Sequence, residues 1–222
     1  MESHSLAVTR TARFVTLGPT RGALQEVWFV LHGYGQRASV FARAFEPIRA
    51  PHRLIVAPEA LSRFYLPGHQ RVGASWMTKE DRENEITDYV AYLDAVRDHL
   101  LGGREGVRTV LLGFSQGGTT ASRWAALGAT APDRLILWGG EIAHDLDLDA
   151  HRERLSRLGL TFVIGSDDEY ITPERLVAQE TRLIEHSIPY RLVPYAGGHQ
   201  IETDVLHALA ANVGPPAAPA AP

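Results

Sequence analysis

No cysteine occurs among the 222 residues. Disulfides, thiolate metal sites and a cysteine nucleophile are therefore excluded. A strong charge of either sign is also missing. The net charge is −4 and the sequence pI is about 6.2, which gives no electrostatic case for binding nucleic acid or an anionic membrane. No apolar run approaches the length of a bilayer span, so stable membrane insertion is not expected. Met1–Leu6 has no basic region followed by an apolar stretch, which argues against a signal peptide and for a cytoplasmic protein. No H-E-x-x-H or similar cluster is present, so no metal and no cofactor is expected. Internal repeats and interior linkers are lacking too. Residues 1–213 are accordingly expected to form one domain, followed by a disordered Pro/Ala-rich tail over 214–222. What remains is ordinary for a globular chain: 45% hydrophobic and 22% charged residues, and enough length for one well-buried core.

Short apolar runs alternate with helical patterns. Val27–Leu31, Leu54–Pro58, Val107–Leu112, Leu135–Trp138, Thr161–Ile164 and Arg191–Val193 have strand length. Their near-continuous apolar character suits strands covered on both faces. Ala12–Leu17 reads as an edge strand. Between about Glu80 and Leu101, the residues Ile86, Tyr89, Val90, Leu93, Val96 and Leu100 follow the spacing of one buried helix face. Gly102-Gly103 supplies its stop. Thr172-Pro173 reads as an N-cap followed by proline at the first helical position. Strands alternating with helices predict an α/β fold with a mostly parallel central sheet and helices on both faces. Leu61–Lys79 fits neither pattern and is expected to be an irregular loop that walls a pocket.

The chemistry centres on Gly113-Phe114-Ser115-Gln116-Gly117. An apolar strand feeds into this G-x-S-x-G, and a helix-compatible stretch follows it. That is the context of a nucleophile elbow, which exposes the serine at the C-terminal edge of a sheet. Serine needs a base, and the base needs an acid to fix its tautomer. In this architecture the order is serine, acid, histidine. Of the histidines after Ser115, His199 is favoured because it follows Gly197-Gly198 directly after a strand. His186 and His207 read as helix residues. The acid falls in Asp167-Asp168-Glu169, after the strand Thr161–Ile164, and spacing does not separate Asp167 from Asp168. Two backbone N–H groups are expected to hold the developing oxyanion. One belongs to Gln116, and the other to Tyr34 in His32-Gly33-Tyr34-Gly35.

Leu31–Gln36, Gly113–Gly118, the Gly165-x-x-Asp168 step and Gly197-Gly198-His199 together resemble the phospholipase/carboxylesterase family of the α/β-hydrolase fold, which includes acyl-protein thioesterases. The resemblance spans about Val27 to Leu209. It implies a three-layer α/β-hydrolase fold, favours Asp168 as the acid and supports Tyr34 as the oxyanion donor. It also implies a pocket or lid role for Trp76, and Phe64 and Tyr65 join it as candidate pocket residues from the irregular stretch. The first acid-motif residues of the family are missing, since Gly165-Ser166-Asp167-Asp168 stands in their place. The expected function is a serine carboxylesterase acting on a small-molecule ester or thioester through an acyl-enzyme. An acyltransferase with the same triad and a non-catalytic binding module on a hydrolase scaffold are the rival readings. Physiological substrate, acyl-chain length and oligomeric state are not encoded in any visible motif.

Overall fold

Side chains of a strand alternate between faces, and here both faces are apolar. Val27, Phe29 and Leu31 point into one core, whereas Trp28 and Val30 point into another. The computed structural model describes residues 1–2, 4–129 and 131–212; the Pro/Ala-rich tail lies outside them. The strands are β1 (Phe14–Leu17), β2 (Glu26–Leu31), β3 (Arg53–Pro58), β4 (Ser62–Tyr65), β5 (Val72–Ser75), β6 (Arg108–Phe114), β7 (Arg134–Trp138), β8 (Gly159–Gly165) and β9 (Arg191–Tyr195). Seven of them form one sheet in the order β1-β3-β2-β6-β7-β8-β9. All neighbours in it run parallel except the edge strand β1, which is antiparallel to β3.

Helices cover both faces. On one side lie α2 (Arg82–Leu101), α3 (Gln116–Leu127), α4 (Arg152–Ser156) and α5 (Pro173–Glu185), which contribute Leu93, Trp124, Leu155 and Leu183 to the core. On the other side lie α1 (Ala38–Phe41), the 3-10 turn that continues it to Ile48, and α6 (Thr203–Ala211). This is the three-layer α/β-hydrolase arrangement. Burying one side chain such as Leu93 contributes about 1.5–3 kcal/mol. No helix among the described residues is long and apolar enough to cross a membrane.

The periodic helix pattern is realised in α2. Tyr89, Leu93 and Val96 are buried, while Ile86, Val90 and Leu100 pack against the same core. Gly102 and Gly103 end it with positive φ values of 20° and 83°. Thr172 caps α5 by accepting the Arg175 N–H at 3.4 Å.

The stretch Leu61–Lys79 departs from the expected irregular loop. It contains the antiparallel hairpin β4–β5, with Phe64 opposite Gly73 and Tyr65 opposite Val72. The hairpin does not stand alone. Gly35 N donates to Ala74 O at 2.9 Å, and Ala74 N donates to Gln36 O at 3.2 Å. Strand β5 therefore completes its hydrogen bonding on the loop after β2, which is why four-residue strands persist there. Gly73 permits this approach, because a Cβ at that position would overlap the Gly35 backbone.

Candidate active site

The register of β2, β6 and β7 brings three loop starts to one sheet edge. Gly113 lies opposite Leu31, and Phe114 lies opposite Trp138. The turn after β6 is tight enough to force Ser115 to φ 55°, ψ −122°, a conformation that costs on the order of 1–3 kcal/mol. It is held by Ser115 N donating to Trp138 O at 3.0 Å and Gly118 N donating to Ser115 O at 2.8 Å. Two glycines make it possible. A Cβ on Gly113 would overlap the Gly117 carbonyl, and one on Gly117 would overlap Leu31 O. Helix α3 starts at Gln116, so the positive end of its dipole faces the serine.

Gly33 packs directly on Ser115. A Cβ there would sit 3.1 Å from Ser115 Cβ. Its own N–H is taken by Gln36 Oε1 at 2.8 Å. Among the described residues, no hydrogen bond occupies the next N–H, that of Tyr34, or the N–H of Gln116. The two expected oxyanion donors, on the residues that directly follow Gly33 and Ser115, are thus both free.

Beneath this loop, His32 is wholly buried. Its Nδ1 lies 2.8 Å from Gly33 O and its Nε2 receives the Ala60 N–H at 3.1 Å. Only the neutral tautomer with the proton on Nδ1 serves both partners. Burial also lowers the pKa of this imidazole, against opposing contributions from the Gly33 carbonyl and Glu59.

His199 and Asp168 meet at the same edge. The His199 Nδ1 lies 2.8 Å from Asp168 Oδ2, and the Asp168 side chain has no exposed surface. The other carboxylate oxygen accepts the N–H groups of Tyr170 at 2.9 Å and Ile171 at 3.1 Å. This Asx turn aims Asp168 inward, whereas Asp167 is exposed. The imidazole is flanked by the rings of Phe114 and Tyr170, at centroid distances of 4.7 and 4.6 Å. The pair rests on Gly139, whose φ is 51°; a Cβ there would lie 2.9 Å from His199 Nδ1 and 3.0 Å from Asp168 Oδ2. The adjacent Gly140 packs against the Ser115 backbone, so one Gly-Gly step carries His199 on one side and Ser115 on the other. The His199 loop is pinned by Trp138, whose Nε1 donates to Gln200 O at 2.8 Å. His186 and His207 lie elsewhere, at Asp149 and at the Pro47 carbonyl.

The candidate pocket residues separate. The Phe64 ring stacks on Tyr34, at a centroid distance of 5.2 Å. Tyr65 is 65% exposed, and its ring lies 5.9 Å from that of His69. Trp76 is only 1% exposed and stays in the core, where its indole N–H donates to His32 O at 2.8 Å.

Several structural partners of the site were not singled out from the sequence. The Gln116 side chain accepts Trp76 N–H at 3.1 Å and donates to Met77 O at 3.0 Å and Ser75 Oγ at 3.1 Å. Arg175 forms a two-toothed pair with Glu141, at 2.8 and 2.7 Å, and donates to Tyr170 O at 2.9 Å. The conjunction of Thr172-Pro173 with an arginine one turn into the helix is the only sequence signal for the second contact. Among the described residues no group of three or more His, Asp or Glu side chains is placed to hold a metal ion.

Solved structures share this fold. Esterase PE8 superimposes with a TM-score of 0.69 at 23% identity, over 91% of this chain and 97% of that one. Zea mays acyl-protein thioesterase 2 gives 0.67 at 17% identity, over 92% and 100%. A carboxylesterase from Mesorhizobium loti gives 0.66 at 21% identity, over 90% and 93%. No curated protein sequence matches the chain. The serine hydrolase (FSH1) family profile matches residues 26–205, a span that runs from the start of β2 into α6 and takes in every side chain of the site. The chain therefore belongs to the FSH1 family of serine hydrolases.

Proposed function

We propose that the chain is a serine carboxylesterase that hydrolyses small to medium carboxylic esters or thioesters through a Ser115–His199–Asp168 triad. The observation that carries this reading is the 2.8 Å contact between His199 Nδ1 and the enclosed Asp168 carboxylate, on the glycine step that also abuts Ser115. That contact keeps the proton on Nδ1 and leaves Nε2 as the base.

Ser115 Oγ attacks the ester carbonyl while His199 Nε2 takes its proton. The carbonyl oxygen becomes an oxyanion, held by the N–H groups of Tyr34 and Gln116. The tetrahedral intermediate collapses, and the alcohol or thiol leaves with the proton from His199. Water then repeats the sequence on the acyl-enzyme, releasing the acid and restoring Ser115. Asp168 stays ionised throughout and stabilises the imidazolium. No step calls for a cofactor. Phe64 and Tyr34 supply an aromatic wall for the substrate.

A series of p-nitrophenyl esters from acetate to octanoate tests this reading. The expected result is hydrolysis with an optimum in chain length, and a loss of about 10⁶ in kcat in Ser115→Ala. Absence of hydrolysis across the series, or equal rates with and without Ser115, overturns it.

A further inference from the structure

An open cleft of about 390 Å³ is lined by Arg13, Arg37, Arg63, Phe64, Tyr65 and Val72. The three arginines come from three separate places: the approach to β1, the loop before α1 and strand β4. Only one of them is neutralised. Arg13 pairs with Glu59 at 2.5 Å, and the other oxygen of Glu59 accepts the Ala38 N–H at 3.3 Å. Among the described residues the Arg37 guanidinium makes a single hydrogen bond, 3.5 Å to Ser39 Oγ, too long to hold it in place. Arg63 has no ion-pair partner among the described residues.

The cleft is tied to the reaction centre. Phe64 lines it and packs its ring against that of Tyr34, the residue after Gly33, at a centroid distance of 5.2 Å. Arg37 is four residues from Gly33, so its Cα is at most about 14 Å from the glycine that touches Ser115. Exposed arginines cost little in water when scattered. Here two of them converge with two aromatic rings in one concave place of ligand size. Guanidinium groups match carboxylates and phosphates in a fork geometry.

We infer that this cleft is a subsite for an anionic group on the substrate, so that the preferred ester carries a carboxylate or phosphate on its non-reacting end, held by Arg37 and Arg63. The inference rests on the esterase reading for the word ester, and on the cleft alone for the anion. It also restricts the substrate class in a way that acyl length does not. The positive pair draws in acidic esters and leaves neutral ones of the same length to bind by apolar contact alone. The attraction acts within about 10 Å at 0.1 M salt.

The test is binding, separated from turnover. Full-length Ser115→Ala protein is titrated by calorimetry with monomethyl adipate and with methyl hexanoate, which share a six-carbon acyl chain and differ at its end. The expected result is about tenfold tighter binding of the adipate ester. That advantage disappears in the Arg63→Glu and Arg37→Glu versions and shrinks as salt is raised. Inorganic phosphate and acetate are then run as competitors of the adipate ester, and the stronger competitor identifies the oxyanion. Equal affinity for the two esters, or an advantage that survives both arginine substitutions, overturns the subsite. Tight binding of the adipate ester without turnover by the intact enzyme overturns the esterase reading and leaves the subsite standing.

Discussion

The side chain of Gln116 receives the backbone N–H of Trp76 at 3.1 Å. This joins the residue after Ser115 to the segment that directly follows β5, the strand that braces the Tyr34 loop. Gln116 also donates to Met77 O at 3.0 Å, so one amide satisfies a donor and an acceptor of a segment buried over Ser75–Met77. Gln116→Ala leaves the Trp76 N–H unpaired, while Met77 O keeps the Ser75 hydroxyl at 2.9 Å, and the expected loss is about 1–3 kcal/mol. Urea denaturation measures it. A midpoint equal to wild type contradicts the tie.

Asp168 and Asp167 are neighbours with opposite surroundings. Asp168→Asn is expected to lower kcat by about 10⁴, because an amide facing Nδ1 favours the wrong tautomer. Asp167→Asn points into solvent and is expected to change kcat by less than about threefold, as surface substitutions do. Steady-state kinetics on one ester decides. Equal effects of the two substitutions contradict the assignment.

Gly139 supports the imidazole from below. An alanine there places a Cβ 2.9 Å from His199 Nδ1 and adopts φ 51°. The expected result is a kcat loss of about 10², the size that a displacement near 1 Å produces. Thermal unfolding should register the backbone strain as a loss of about 1 kcal/mol or more. Unchanged kcat in a destabilised Gly139→Ala protein contradicts the positioning role.

His32 gives a pH prediction. Burial lowers its folded pKa below the usual imidazole value, so the unfolded chain binds the proton first as pH falls. The stabilisation is complete above the unfolded pKa of about 6.5 and is lost as pH falls through the folded pKa. Between those limits the slope is about 1.4 kcal/mol per pH unit. Imidazole nitrogen NMR shifts should report the neutral tautomer with the proton on Nδ1 and a titration below the usual imidazole value. Titration of His32 at or above that value contradicts it.

The main sheet was legible because Val27–Leu31 and its counterparts are nearly unbroken apolar runs, a pattern that only doubly covered strands need. The hairpin was not. Ser62–Tyr65 and Val72–Ser75 mix polar, aromatic and small residues, and their order depends on a tertiary contact with Gly35 and Gln36. At the site, the G-x-S-x-G spacing and the Gly-Gly-His step carry Ser115 and His199 because glycine is needed where backbones nearly touch. The spacing left Asp167 and Asp168 open. What separates their side chains is an Asx turn to Tyr170 and Ile171, which no periodicity encodes. The Gln116 side chain was hidden for a similar reason, since its partners lie 39 to 41 positions away.

The central claim is that Ser115 is an activated nucleophile. Folded protein is treated with a fluorophosphonate probe, and the modified residue is located by peptide mass spectrometry. One adduct is expected, on Ser115, lost in Ser115→Ala and formed far more slowly in Asp168→Asn. Folded protein that takes no label, or takes it on a different residue, contradicts it.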